Sequence, residues 1–393
     1  MTSPHAQPAL QFATLTTQAS LESLCERWEA LLVHAGETNT FLTPAWMFSW
    51  WQAYRPAAEL LAVTAMHDDR LAGLAPMMVQ SERRHGMTLR CLRFIGDGTF
   101  ESDHLGFVVE TPGAGLVHEA LLDELLRQPW DIAVLANVPE SSTLARVLPD
   151  WCRRNRLLFD TTTAPCPLRV IPDSFDALLA SLPSRFRTSI RSTRRKLAGA
   201  NEVEFGLHDD PAEFGVALQA LFDNHESRWR AKGQSGVFVK PQRREFYSIL
   251  TRRLHERGAL RFFYLKLDGR IVAQEYCFAH GRTVYLLQEG FDFALAQQNI
   301  GNALRSYVFE YLIEHRYAAY DFLAGVSRHK QNWSDSMPND VTFTIARPTM
   351  KGRLAHYAPR LIERAKDGLR PLRDRIKGNR AGATEATAEA ATQ

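Results

Sequence analysis

Hydrophobic positions recur every three or four residues from Ser20 to Val33, with Leu21, Leu24, Trp28, Leu31 and Leu32 on one stripe, which predicts an amphipathic helix. A second helix is predicted from Pro44 to Tyr54, with Thr43 as N-cap and Pro44 in the first turn, where its missing N–H costs nothing. Apolar runs at 60–67 and 70–79 around Asp68-Asp69 predict two strands. Further strands are expected at 89–95, 105–109 and 131–136, and a helix at 115–127.

A second series starts near Leu168. Helices are predicted at 175–182 and 184–198, a strand at 203–207, and helices at 212–232 and 242–257. Three strands follow at 260–267, 271–279 and 283–289, turned at Asp268-Gly269 and Gly281, and Asp-Gly between apolar runs is a strong hairpin signal. A helix from Asn299 to Arg316 and strands at 319–323 and 341–345 complete the pattern. Both halves read as mixed α/β, and 393 residues is long for one domain.

Composition narrows the class. No apolar run reaches the roughly 18 residues of a membrane span, and Met1 to Gln11 lacks the basic-then-apolar order of a signal peptide. A cytoplasmic protein is expected. The five cysteines are scattered, with no CxxC pair, so neither a disulfide framework nor a structural zinc is expected. The net charge of +3 is uneven, because 351–380 carry ten Lys/Arg against three Asp/Glu, a local +7. The main body lacks the basic character of a DNA-binding protein.

Two motifs carry chemistry. Gln298-Asn299-Ile300-Gly301-Asn302-Ala303 follows the pattern Q/R-x-x-G-x-G/A at a helix start. Helix starts present unpaired N–H groups and partial positive charge, and a glycine lets a pyrophosphate approach. Tyr320 to Gly325 reads as a buried strand ending in glycine, followed by a basic loop with Lys330 and closed by Trp333. Together they resemble the donor half of a GNAT-type acyltransferase, of the CelD/BcsL type, distantly related to FemABX peptidyltransferases. The resemblance covers most of 40–348. It implies tandem GNAT-like α/β (α+β) domains: a degenerate one over 1–165 and an acyltransferase over 166–348. A basic amphipathic segment (349–380) and a disordered tail (381–393) would follow.

The resemblance also implies acetyl-CoA or another acyl-CoA as co-substrate, held by 298–303. The implied acceptor is a small molecule or glycan precursor, and transfer is direct, to an amine or hydroxyl. FemABX-like transfer from aminoacyl-tRNA and a non-catalytic scaffold are the alternatives. Glu275, inside a strand that otherwise reads as buried, is the leading base: burial of a carboxylate raises its pKa. An ion pair with an arginine would explain it equally. Glu289 could share the role. His225, a further catalytic candidate, and Arg228 and Trp229, candidates for substrate binding, lie at spacings of three and four on one helix, which the resemblance places beside the acceptor cleft. Lys330 is a second catalytic candidate, able to neutralise a phosphate or oxyanion. Asp321 and Trp333 complete the implied binding set, and Tyr285 and Tyr307 are candidate acids.

Six cations in 185–196 form a basic helix face, read as a solvated surface or as an anion site. The segment 351–380 suits either an anionic membrane surface or docking on the protein. Gly96 to His104 reads as a flexible loop, with Asp103 and His104 placed to line a cleft between the domains.

Overall fold

Asp68 and Asp268, 200 positions apart, both adopt a left-handed conformation, with φ of 51° and 50°. Each opens a two-residue turn in a hairpin whose register shifts at the same place, between Ala65 and Met66 and between Leu265 and Lys266. The two halves are therefore built around one local device. The computed structural model describes residues 10–358 apart from 38, 55, 85, 100, 112 and 232.

The first half comprises β1 (Gln11–Leu15), α1 (Gln18–Glu22), α2 (Cys25–Ala35), α3 (Pro44–Tyr54), β2 (Ala58–His67), β3 (Arg70–Arg84), β4 (Met87–Phe94), β5 (Val108–Val109), α4 (Ala114–Arg127), β6 (Ile132–Pro139), α5 (Thr143–Arg154), β7 (Leu158–Pro165) and β8 (Leu168–Val170). The second comprises α6 (Phe175–Ser181), α7 (Ser184–Ala200), β9 (Val203–Leu207), α8 (Phe214–Arg230), α9 (Pro241–Glu256), β10 (Leu260–Leu267), β11 (Arg270–His280), β12 (Thr283–Phe291), α10 (Ile300–Glu314), β13 (Ala319–Asp321), α11 (Arg328–Trp333) and β14 (Asn339–Ala346).

One sheet runs β1-β2-β3-β4-β6-β14-β7, with β5 on β3; the other runs β8-β13-β12-β11-β10-β9. Each has one parallel step, β4 to β6 and β12 to β13, at the same point in the order. The halves exchange their next strand: β8 joins the second sheet and β14 the first. The expectation that 341–345 belongs to the second unit is corrected by this pairing. Polar β7, which among the described residues pairs with β14 alone, gave no alternating signal.

Helices α3 and α9 pack against each other between the sheets. Thr43 Oγ1 accepts from Trp46 N, as its capping role requires. Trp46 is fully buried and lies 5.4 Å from Phe246 and 5.2 Å from Phe278, so it ties α3 to α9 and to β11. Residues from both halves share this core, and a second core lies under α6, α7 and α10.

The loop 96–104, expected to be flexible, is pinned between the halves at its described residues. Trp50 Nε1 donates to Thr99 Oγ1 at 2.7 Å, Trp46 Nε1 to Ser102 Oγ at 2.9 Å, and Tyr54 to Glu101 at 2.9 Å. Arg243 of α9 donates to Glu101 and to the Thr99 carbonyl. Its Gly/Asp/Ser composition misleads because each polar group finds a buried partner.

Residues 350–358 are helical, and Ala355 packs on the outer face of the first sheet. The remaining basic segment and the expected disordered tail lie outside the described residues. Among the described residues, no helix is long and apolar enough to cross a membrane.

Glu101 and Arg243 form a buried pair, and removing one partner of such a pair costs about 3–5 kcal/mol. Arg243→Met should therefore lower the free energy of urea unfolding by about that amount. The double variant Glu101→Leu with Arg243→Met should recover most of it.

Candidate active site

Strands β12 and β13 pair only from Thr283/Ala319 to Tyr285/Asp321, and then separate. Beyond that point β12 continues to Phe291 with β11 alone, and a register shift at Tyr276/Cys277 leaves Leu287 without a partner on that side too. The result is a fork with an open strand edge. In the first sheet the equivalent fork is filled by the chain itself. There β4 ends at Phe94, and Leu105 N donates to Asn137 O at 2.8 Å.

Charged groups are gathered beside the second fork. Arg305 of α10 has no solvent exposure. Its Nε donates to Glu275 Oε1 at 2.7 Å and its Nη2 to Glu289 Oε2 at 2.6 Å, while Nη1 lies 2.9 Å from His329 Nε2. Tyr320 OH donates to Glu275 Oε2 at 2.7 Å. Burial pushes the Glu275 pKa up, opposed by Arg305. At Glu289 burial acts upward as well, but His329 and Arg305 outweigh it and hold the carboxyl well below the usual range. Lys330 Nζ donates to the carbonyls of Phe322, Leu323 and Ala324 at 2.6, 3.2 and 3.0 Å, which uses all three of its protons. The chain turns away from β12 there, through Leu323 (φ 59°) and Gly325 (φ 97°); only glycine takes the second value without strain.

At the fork's mouth lies a cavity of about 330 Å³ between the halves, lined by His104, Tyr285, Asp321, Glu37, Asn39 and His118 among others. His104 sits between two carboxylates. Its Nδ1 is 2.9 Å from Asp340 Oδ1 and its Nε2 is 3.2 Å from Asp321 Oδ2. Its backbone N–H donates to Asp340 Oδ2 at 3.0 Å, and Asn39 donates to its carbonyl. Burial works against the imidazolium, but the hydrogen bonds to Asp321 and Asp340 prevail and raise the pKa well above 6.5. Asp103 accepts from Asn137 Nδ2 and from Ala324 N. His104, Cys166 and Asp340 also lie within 4.8 Å of one another, a grouping the sequence did not suggest. Both imidazole nitrogens are already engaged by carboxylates, and we assign no metal there.

Most expected site residues converge on Arg305 and the fork. Glu275 is enclosed, with both oxygens committed, as an ion pair with an arginine would have it. Arg228 lies 3.7 Å from Glu289 Oε1 and stacks over Phe291 at 5.3 Å. His225 stands apart: its Nε2 accepts from Trp229 Nε1 at 2.9 Å, and burial lowers its pKa to about 4. Trp333 is buried, packs on Phe309 and Phe186, and donates to Asn302 Oδ1 at 2.9 Å. Tyr285 lines the cavity, whereas the ring of Tyr307 is covered by Arg194 at 4.0 Å.

Segment 298–303 forms the start of α10 as expected. Asn299 is left-handed (φ 57°), and its carbonyl takes the N–H groups of Asn302 and Ala303. The amides of Ile300 and Gly301 are thus the ones not spent on Asn299. A Cβ on Gly301 would lie 3.6 Å from the Phe291 ring, an ordinary van der Waals contact, so the turn and the end of β12 lie side by side. The basic face of α7 is mostly consumed: Arg187 bonds the end of α6, Arg191 lies 3.8 Å from Asp176, and Arg194 pairs with Glu310.

Arg305, His329 and Asp340 were not read from the sequence. Arg305 carried a usable signal, an arginine set among buried Ala303, Leu304, Val308 and Phe309. Asp340 carried none, since its partner lies 236 residues away.

Residues 184–331 match the family model described as an acetyltransferase (GNAT) domain. That segment carries a GNAT-type fold. No curated protein matches the chain. Among solved structures, FemX aligns with 84% of this chain and 96% of its own, at 12% identity and a TM-score of 0.58. A conserved Bacteroides thetaiotaomicron protein of unknown function aligns with 82% and 97%, at 14% identity and a TM-score of 0.52. L-PGS from Bacillus licheniformis aligns with 86% and 96%, at 12% identity and a TM-score of 0.50. At such identities the likeness is one of fold.

Glu289 and His104 give opposite pH signatures. Glu289 is depressed in the folded state, so its stabilisation is present above the unfolded value of about 4.3 and fades as pH falls through the folded one. His104 is raised, so its contribution is complete below about 6.5 and fades as pH rises through the folded value. Glu289→Gln should flatten the acid side of a stability-versus-pH curve from urea unfolding, and His104→Gln the alkaline side.

Proposed function

We propose that the protein is an acyl-CoA-dependent acyltransferase that moves an acyl group to an acceptor bound between its halves. One observation carries this reading: an unpaired β12 edge runs from the fork toward the amides of Ile300 and Gly301. A strand edge recruits an extended amide-bearing arm through main-chain hydrogen bonds. A helix start with a glycine accepts a pyrophosphate. When bound, acyl-CoA would supply an activated thioester. The residues present fit it: the amides of Ile300 and Gly301 for the phosphates, and the backbone of Leu286 to Phe291 for the arm. Arg305 and Lys330 act here as positioning residues that keep the strands apart. The first fork is closed by the chain itself, which supports a single donor site in the second half. The acceptor class we favour is a sugar, amino sugar or other polysaccharide precursor.

Calorimetric titration with acetyl-CoA and longer acyl-CoAs tests the donor. Binding is expected, and Gly301→Trp should weaken it by more than about 100-fold, equivalent to about 2.7 kcal/mol. If no acyl-CoA binds the wild-type protein, the reading fails and charged tRNA becomes the donor to test. Binding unaffected by Gly301→Trp would move the donor elsewhere.

A further inference from the structure

We propose that His104 is the general base of this transfer and that the acceptor is a primary amine, bound as its ammonium against Asp321 in the cavity between the halves. The proposal deepens the acyltransferase reading and rests on it.

The placement is the first argument. Asp321 is the last residue of β13 that pairs with β12, so its side chain marks the point where the strands part. His104 faces that carboxylate and stands 6.4 Å, ring to ring, from Tyr285, the opposing residue of β12. Asp340 fixes the ring from behind through both its oxygens, one on Nδ1 and one on the backbone N–H. An imidazole whose Nδ1–H is given to a carboxylate presents Nε2 forward, the arrangement a proton acceptor needs.

Charge is the second argument. The groups facing His104 are Asp321 from β13, Asp340 from β14, Asp103 from its own loop, whose pKa burial raises against the pull of His104, Tyr285 from β12 and Cys166 from the segment joining β7 to β8. Lys330 of α11 lies beyond Asp103, with its protons spent on carbonyls. Glu37 and His118 line the same cavity, and burial lowers the His118 pKa, so that ring is neutral. The surplus is negative, and the resting imidazolium offsets part of it. An incoming ammonium can take over the bond to Asp321, and its charge then disfavours the second proton on His104.

The step balances. The imidazolium loses its Nε2 proton to solvent as the ammonium docks. The ammonium gives one proton to Nε2, and the amine nitrogen attacks the thioester carbonyl. The C–N bond forms and the C–S bond breaks. A second proton ends on the departing sulfur and the third stays on the amide.

Histidine labelled with carbon-13 at Cε1 gives the test by NMR, the resonance missing from His104→Gln being that of His104. It should titrate well above 6.5, and glucosamine, lysine or spermidine should lower that value, whereas N-acetylglucosamine, which lacks the ammonium, should not. His104→Gln should lower kcat for acetylation of whichever amine shifts it by about 100-fold or more, with acetyl-CoA affinity unchanged. Asp340→Asn should move the ascending limb of kcat/KM to lower pH, a change that a purely structural role would not produce. If no ammonium moves the His104 titration while acetyl-CoA still binds, the inference falls and the donor reading stands. If acetyl-CoA does not bind, the donor reading falls whatever the NMR shows.

Discussion

A guanidinium with no access to water sits where three strands and two helices meet. Removing such a charge from solvent costs several kcal/mol, which only well-placed carboxylates offset. Arg305 meets that condition through Glu275 on β11 and Glu289 on β12, and Tyr320 on β13 completes the set by bonding Glu275. Every partner is thereby fixed in position. Separating two strands leaves backbone groups without ladder partners, and apolar packing alone does not oppose their closing up. Arg305 gathers two carboxylates on one side of the fork, and Lys330 gathers three carbonyls on the other. Glu275 belongs to this scaffold rather than to a solvent-facing base.

The two halves show how one architecture diverges. Their hairpins share a turn, a bulge and a strand order, and each sheet has its one parallel step in the same place. In the first half the loop after β4 folds back into the gap and bonds to β6 through Leu105 and Asn137. The same loop then projects Asp103 and His104 toward the second half. The first half thus spends its own gap on presenting two ionisable groups to its neighbour's.

Much of this was legible in the sequence, where local chemistry decided the outcome. Thr43 and Pro44 marked the start of α3, Asp268-Gly269 the hairpin, and Gly301 the turn into α10. Illegible elements depended on distant partners. β7 carries three consecutive threonines and becomes a strand because β14 arrives beside it. The loop 96–104 has the composition of a flexible segment and is held by tryptophans, an arginine and an aspartate from elsewhere. His104 was placed near a cleft by its position in the chain. That it bridges two carboxylates from different sheets is a product of topology, which local pattern does not encode.

The return of β14 to the first sheet has a consequence for biogenesis. β7 has no partner until β14 arrives, and β6 has an open side until then. During synthesis, therefore, the first sheet waits with bare edges while about 200 further residues emerge. Exposed edges of that kind invite pairing with other chains. An N-terminal half made alone would lack its closing strand, and a C-terminal half made alone would lack β8. Each sheet is complete only when both halves are present.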